Sequence, residues 1–366
     1  MKVLFVNNSL RGLAYFRLDV MRHLQAQGHK VVAVVPKSEE GEVDIEDIRK
    51  IFVPLRRTSV NPLHDIVFLF SLLRVFKRER PDYVFLFTIK PNVYGTLAGK
   101  LYGIHSTVMM AGLGRTFSNN LLSSRIARLL YRQVLTFSDH LLLLNEQDLE
   151  NVKRFRICKL SKIVLLKSGE GVNLQRYYFR DNRSDKVRFL FVGRLLKEKG
   201  VLDFMEAARI VRQQCTEAEF QIAGKTDAGS QDRLIIENME SKSAGVVELL
   251  GHINMVEKLK EPGLVIVLPS YYSEGLNHSL MEGCAAGKPI ITTDWPGCRE
   301  TVIDGRNGYL VPARCPDALA EAMLRFMKLS DDEKRTMSQE SRRLAEERFD
   351  IRGVFDVYDR ILDRRQ

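Results

Sequence analysis

Apolar positions along this chain alternate between two patterns. Short, largely apolar runs occur at residues 2–7, 31–35, 51–55, 83–87, 108–110, 140–144 and 162–166. They recur at 187–192, 220–223, 247–250, 264–268 and 290–293. Runs of this length read as parallel strands buried on both faces. The stretches between them carry apolar residues at helical spacing. A loop over 8–17 is predicted to lead into a helix ending near Gln27, and further helices are predicted at 61–79, 121–135 and 201–214. Alternating strand and helix implies an α/β fold built on doubly wound parallel sheets. Three amphipathic helices, 317–329, 330–348 and 349–364, close the sequence.

The pattern restarts at residue 187, after a charged run over 180–186. At 366 residues the chain is long enough for two cores. The predicted domains are 1–166 and 187–348, joined by a linker over 167–186, with 349–366 as a terminal helix.

Charge sharpens this division. The net charge is +10, yet through Leu166 there are 25 lysines and arginines against 14 acids. The excess therefore belongs to the first half. Nucleic acid, anionic lipid or an anionic substrate could each answer it. No nucleic-acid motif is present, which favours lipid. Arg125, Arg128 and Arg132 fall at helical spacing beside Leu122, Ile126 and Leu129. Such a helix either lies on an anionic leaflet or turns a solvated basic side outward. The chain opens on a strand, with no signal-peptide pattern, and no apolar run is long enough to span a bilayer. Its five cysteines are scattered, as expected of free thiols in a reducing compartment, and no metal motif such as D-x-D occurs.

Candidate chemistry gathers where predicted strands end. After 264–268 comes Ser270-Tyr271-Tyr272-Ser273-Glu274-Gly275-Leu276-Asn277-His278-Ser279-Leu280-Met281-Glu282. Asn277 reads as the N-cap of a short helix closed by Gly287-Lys288-Pro289. A helix N-terminus at a strand's carboxyl end attracts an anion, most readily a phosphate. Glu274 and Glu282 flank it, suited to accept from sugar or ribose hydroxyls. The same pair also reads as one solvated and one dipole-pairing glutamate. Four more loops follow strand ends. Gly12 lies after the first, Lys90 after 83–87, Gly112-Leu113-Gly114-Arg115 after 108–110, and Arg194 to Lys199 after 187–192.

Glu274 and Glu282 match the E-x7-E signature of retaining glycosyltransferases of the GT-B fold, family 4. Leu268-Pro269-Ser270, Gly287-Lys288-Pro289, Gly297-Cys298-Arg299-Glu300 and Asp304-Gly305-Arg306-Asn307-Gly308 extend the resemblance. It implies two Rossmann-like domains around an interdomain cleft, with the last helix crossing back to the first domain. It also implies bacterial enzymes that build glycans on lipid carriers. Under it, Arg194 and Lys199 hold the donor diphosphate, and the backbone from Gly275 through Leu276, Asn277 and His278 to Ser279 caps the phosphates. Glu282 takes ribose hydroxyls and Glu274 the hydroxyls of the reacting sugar. Ile253 lies where relatives hold the base. Gly12 stands where relatives carry paired glycines, so Arg11, Arg17 or the acceptor is expected to share that space. Lys90 is the nearest polar group in a loop where many relatives place a histidine near the reacting sugar, so it joins Glu274 as a catalytic candidate, and Gly112 to Arg115 face the acceptor.

The implied reaction is metal-independent transfer of a hexose or N-acetylhexosamine from a UDP-sugar. The implied acceptor is a polyprenyl-diphosphate saccharide, used in envelope polysaccharide assembly at the inner face of the cytoplasmic membrane. No cofactor is expected. A UDP-N-acetylhexosamine 2-epimerase of the same fold and a non-catalytic sugar-nucleotide-binding paralogue are the alternatives.

Overall fold

The computed structural model describes residues 1–37, 45–56, 59, 61–111, 122–180, 182–184, 186–226, 245–272 and 275–363, with backbone alone over 122–127. The chain forms two compact units, Met1–Glu170 with Arg352–Gln366, and Gly171–Ile351.

The first unit holds strands β1 (Lys2–Val6), β2 (Lys30–Val35), β3 (Arg49–Phe52), β4 (Tyr83–Phe87), β5 (His105–Met110), β6 (His140–Leu143) and β7 (Ile163–Leu165). All pair in parallel in the order β3-β2-β1-β4-β5-β6-β7. The interleaved helices are α1 (Leu10–Ala26), α2 (Pro62–Glu79), α3 (Thr96–Tyr102), α4 (Leu122–Val134) and α5 (Glu146–Arg154). Every residue of β4 is buried, as its unbroken apolar sequence requires.

The second unit repeats the plan with β8 (Arg188–Val192), β9 (Glu219–Ala223), β10 (Val247–Gly251), β11 (Leu264–Leu268), β12 (Ile290–Thr293) and β13 (Gly308–Val311). Their order is β10-β9-β8-β11-β12-β13, again parallel. The helices described here are α6 (Val201–Gln214), α7 (Met255–Lys258), α8 (His278–Ala285), α9 (Pro316–Met327) and α10 (Asp331–Arg348). In each sheet the strand order reverses at its first strand. The neighbouring carboxyl ends, β1 with β4 and β8 with β11, are where such sheets bind ligands.

Four elements depart from the sequence prediction. Helix α1 begins at Leu10, not beyond Arg17, because the Ser9 hydroxyl accepts the Gly12 N–H at 3.2 Å and caps it. Strand β3 is shifted toward the N-terminus, and β13 was not foreseen. The last helix does not begin at Phe349. There the chain adds a short parallel bridge, with Val172 donating to Phe349 O at 2.7 Å and Ile351 donating to Val172 O at 3.2 Å. Helix α11 (Arg352–Asp363) starts beyond it and belongs to the first unit. Its Tyr358 is buried, with ring centroids 4.7 Å from Phe85 and 6.2 Å from Phe5. His23 stacks on Phe355 at 4.2 Å and meets Asp359 at 2.9 Å. These aromatic contacts tie the terminal helix to β1, β4 and α1.

Candidate active site

The second unit's switch point is formed by two loops that lean on each other. Residues 193–200 leave β8, and residues 269–272 leave β11. Tyr271 donates its N–H to Glu198 O at 2.8 Å, and the Ser270 hydroxyl reaches the same carbonyl at 3.4 Å. Contact this close requires glycine at 200. Its φ is +78°, and a Cβ there would stand 2.2 Å from Pro269 O.

This contact gathers charge. Arg194 Cζ lies 5.5 Å and Lys199 Nζ 5.4 Å from the Tyr272 ring centroid, within cation–π range. Lys199 is 5% exposed. Two cations held on one ring form a compact positive site. Gly200 caps α6 without a side-chain bond, so the positive end of that helix dipole adjoins the same loop.

Helix α8 completes the switch point. Asn277 Oδ1 accepts the Leu280 N–H at 3.2 Å, as an N-cap does. The Ser279 hydroxyl donates to Asn277 Oδ1 at 2.8 Å and approaches Val192 O at 3.3 Å, which pins the helix start to the end of β8. One turn on, Glu282 has no exposed surface. Its Oε1 accepts from the Tyr177 hydroxyl at 2.5 Å and lies 3.1 Å from His278 Nδ1. Lys288 just past the helix is fully buried, and burial pulls its ammonium down to about 8. It donates to Asn182 Oδ1 and Glu261 O, both at 2.8 Å, which is a structural lacing of three segments.

The structure thus holds Arg194 and Lys199 on one ring, and carries Asn277, His278, Ser279 and Glu282 on the helix start pinned to the end of β8. Leu276 is buried beside them, and Ile253 packs at the edge of this unit's core beyond β10. Gly275 is described; Glu274 lies outside the described residues, as do Gly112, Leu113, Gly114 and Arg115.

One first-unit candidate is occupied by structural work. Lys90 pairs with Asp65 at 2.7 Å and donates to the carbonyls of Ser59 at 2.6 Å and Arg56 at 3.0 Å. Gly12 sits inside the first turn of α1, where an added Cβ would meet nothing closer than 3.6 Å. Arg17, expected near this loop, turns inward. Its guanidinium pairs with Glu170, 2.8 Å for Nη2 to Oε1, and lies 4.6 Å from the Phe87 ring centroid. Arg128 is likewise placed over the Phe155 ring at 4.7 Å, while the Arg125 side chain is outside the described residues.

Sequence reading missed Tyr272 and Tyr177. Tyr272 sits only two residues before Glu274, so its place beside a site was visible, but its two cations were not. Tyr177 lies 105 positions from Glu282, and only the fold joins them.

Comparison with known proteins places this geometry. A family model described as "Glycosyl transferase 4-like domain" matches residues 11–169, and one described as "Glycosyl transferases group 1" matches 186–328. The chain is 25% identical over 354 residues to the N,N'-diacetylbacillosaminyl-diphospho-undecaprenol alpha-1,3-N-acetylgalactosaminyltransferase of Campylobacter jejuni, covering 91% of this chain and 90% of that one. It is 24% identical to a UDP-Gal:alpha-D-GlcNAc-diphosphoundecaprenol alpha-1,3-galactosyltransferase of Escherichia coli, covering 76% and 75%. Among solved structures, the sucrose-phosphate synthase of Thermosynechococcus elongatus superposes with a TM-score of 0.83 at 18% identity, over 100% of this chain and 98% of that one. The matched models, the E-x7-E pair and the twin parallel sheets agree: the chain belongs to the family-4 glycosyltransferases and has the GT-B fold.

Proposed function

We propose that this enzyme transfers a sugar from a UDP-sugar to a polyprenyl-diphosphate-linked saccharide, with retention at the anomeric carbon and without a metal. The observation that carries the reading is the pair Arg194 and Lys199, held on Tyr272 where β8 and β11 end. A departing nucleoside diphosphate gains negative charge as the glycosidic bond breaks. Fixed cations and helix N-termini stabilise that charge. The Campylobacter and Escherichia relatives, named for undecaprenyl-diphosphate sugars, support the acceptor class, and the UDP-Gal of the second supports the donor.

In this reading Arg194 and Lys199 grip the diphosphate, and the backbone from Gly275 to Ser279 caps it. Glu274 accepts from hydroxyls of the transferred sugar. Glu282 is the acceptor for ribose hydroxyls, and a ribose reaching it must displace what covers it, Tyr177 included. Ile253 borders the base. No side chain of the chain acts as nucleophile. The anomeric carbon parts from the β-phosphate oxygen while the acceptor oxygen bonds to the same face. The acceptor's proton passes to the leaving phosphate. The loop 112–115 is assigned to the acceptor, the Lys90 loop to the neighbourhood of the reacting sugar, and Gly12 to the donor side. Such an acceptor places the enzyme at the cytoplasmic face of a membrane. No described helix is long and apolar enough to cross one, which agrees with peripheral attachment.

The test is turnover of UDP-N-acetylhexosamines and UDP-hexoses with a short polyprenyl-diphosphate saccharide. One nucleotide sugar should release UDP and yield an α-linked product. Formation of a 2-epimer without acceptor, or no turnover with any of these donors, would overturn the reading.

A further inference from the structure

Helix α2 has one face too many for a packed helix. Phe68, Leu72, Val75 and Phe76 bury its inner side against the first sheet. At about 100° per residue, Leu63, Ile66, Val67 and Phe70 fall on the opposite side. All four are exposed, Leu63 by 66% and Phe70 by 63%. Phe52 of β3 adds a further exposed ring on the groove that Val67 and Phe70 line. Single exposed apolar residues are ordinary; five adjoining ones mark an interaction surface.

The same outward stripe changes character along its length. Arg74, Lys77 and Arg78 continue it for its last two turns, each exposed. The helix carries two acids: Asp65 is turned to Lys90 at 2.7 Å and Tyr94 at 3.0 Å, and Glu79, buried at the last position, pairs with Arg49 at 2.8 Å and with Arg78 of this stripe at 3.2 Å. A stripe that runs from large apolar groups to cations, with both acids of the helix already paired to cations, complements a bilayer. Acyl chains meet the apolar half and lipid phosphates the basic half. Protein interfaces lack this balance, being depleted in lysine at their core.

We infer that the outer face of α2, with Phe52, docks the enzyme on an anionic lipid surface. The first two turns enter the acyl boundary, and Arg74, Lys77 and Arg78 sit at the headgroups. The inference deepens the lipid-linked acceptor reading, which requires a bilayer, and assigns the contact to α2 in place of Arg125, Arg128 and Arg132.

Flotation of the full chain with vesicles of phosphatidylglycerol and phosphatidylcholine tests it. The wild type should float at low salt, and less at high salt. Ile66→Glu with Phe70→Glu should cut binding by about tenfold or more. Arg128→Glu with Arg132→Glu should cut it far less. If the glutamate pair unfolds the chain, Leu63→Ser with Val67→Ser gives the milder probe, expected to cut binding several-fold. Thermal unfolding of each variant checks the fold. No flotation of the wild type, or equal flotation of the α2 variants, would overturn the proposal. So would a wild-type dimer that the α2 variants render monomeric, since a second copy would then cover the face. UDP binding on the same samples keeps the two readings separable, because vesicle docking by a chain that binds no nucleotide would sink the donor reading alone.

Discussion

Gly200→Ala attacks the contact that holds Arg194, Lys199 and Tyr272 together. Two costs add. The backbone sits at φ +78°, a left-handed conformation that costs an L-residue with a Cβ about 1–2 kcal/mol. The new methyl also lands 2.2 Å from Pro269 O and 2.7 Å from Pro269 C. Backbone atoms cannot swing aside as a side-chain tip can, so overpacking adds about 1–3 kcal/mol. The total is about 2–5 kcal/mol. Gly305→Ala, in the same unit, isolates the first cost: its φ is +75° and nothing lies within 4 Å of the added Cβ. Urea unfolding of the two variants side by side should place Gly200→Ala about 1–3 kcal/mol below Gly305→Ala, by the overpacking cost alone. Relief of the clash must push the 269–272 segment off the 193–200 loop, so UDP affinity should fall with Gly200→Ala and hold with Gly305→Ala. Equal stability of the two, with UDP binding intact in both, would refute this account of the loop contact.

Arg17→Met should destabilise the first unit by about 3–5 kcal/mol in urea unfolding, because it leaves buried Glu170 without its charge partner; pairing it with Glu170→Gln should recover most of the loss, and a loss under about 1 kcal/mol would show the pair to be unimportant. Glu79 is held down to about 2 by the hydrogen-bonded guanidinium of Arg49, with Lys2 adding to it. Since the folded value lies below the ordinary 4.5, its stabilisation is complete above about pH 4.5 and lost as pH falls through about 2. In full the shift is worth about 3 kcal/mol, and screening around the exposed Arg49 reduces it to about 1 kcal/mol. Glu79→Gln should therefore cost about that much at neutral pH and flatten the acid limb of the stability profile; an unchanged limb would count against it. Tyr272→Ala should raise KM for the nucleotide sugar about five- to thirtyfold, the worth of two cation–π contacts, while Tyr272→Phe keeps it near wild type. Equal KM for both variants would remove Tyr272 from the site.

The sheet was readable where strands are buried on both faces. Residues 83–87 and 264–268 are unbroken apolar runs, and both became strands with those bounds. The loop carrying Arg194 and Lys199 was readable in a similar way, since it directly follows a run that is apolar apart from Arg188. Features that depend on partners far along the chain were hidden. Arg17 and Glu170 are 153 positions apart, and nothing near Arg17 announces that it turns inward. Lys90 looked like a site cation until Asp65 and two carbonyls claimed it. The start of α1 was missed because Leu10-Arg11-Gly12 has too few apolar residues to set a period, whereas the Ser9 cap decides it. Strand β13 has only four residues and opens with glycine, so its pattern is too short to separate from a loop. The apolar breadth of α2 was plain in the sequence, but only the fold shows which half of it remains uncovered.

Calorimetric titration of UDP and of uridine into the wild type, Arg194→Ala and Lys199→Ala tests the central claim most directly. Each lost charge-assisted contact to the diphosphate is worth about 1.5–3 kcal/mol, or about ten- to a hundredfold in affinity. The account predicts UDP affinity falling by that factor in each variant, with uridine affinity unchanged. UDP bound equally by the wild type and both variants would contradict it.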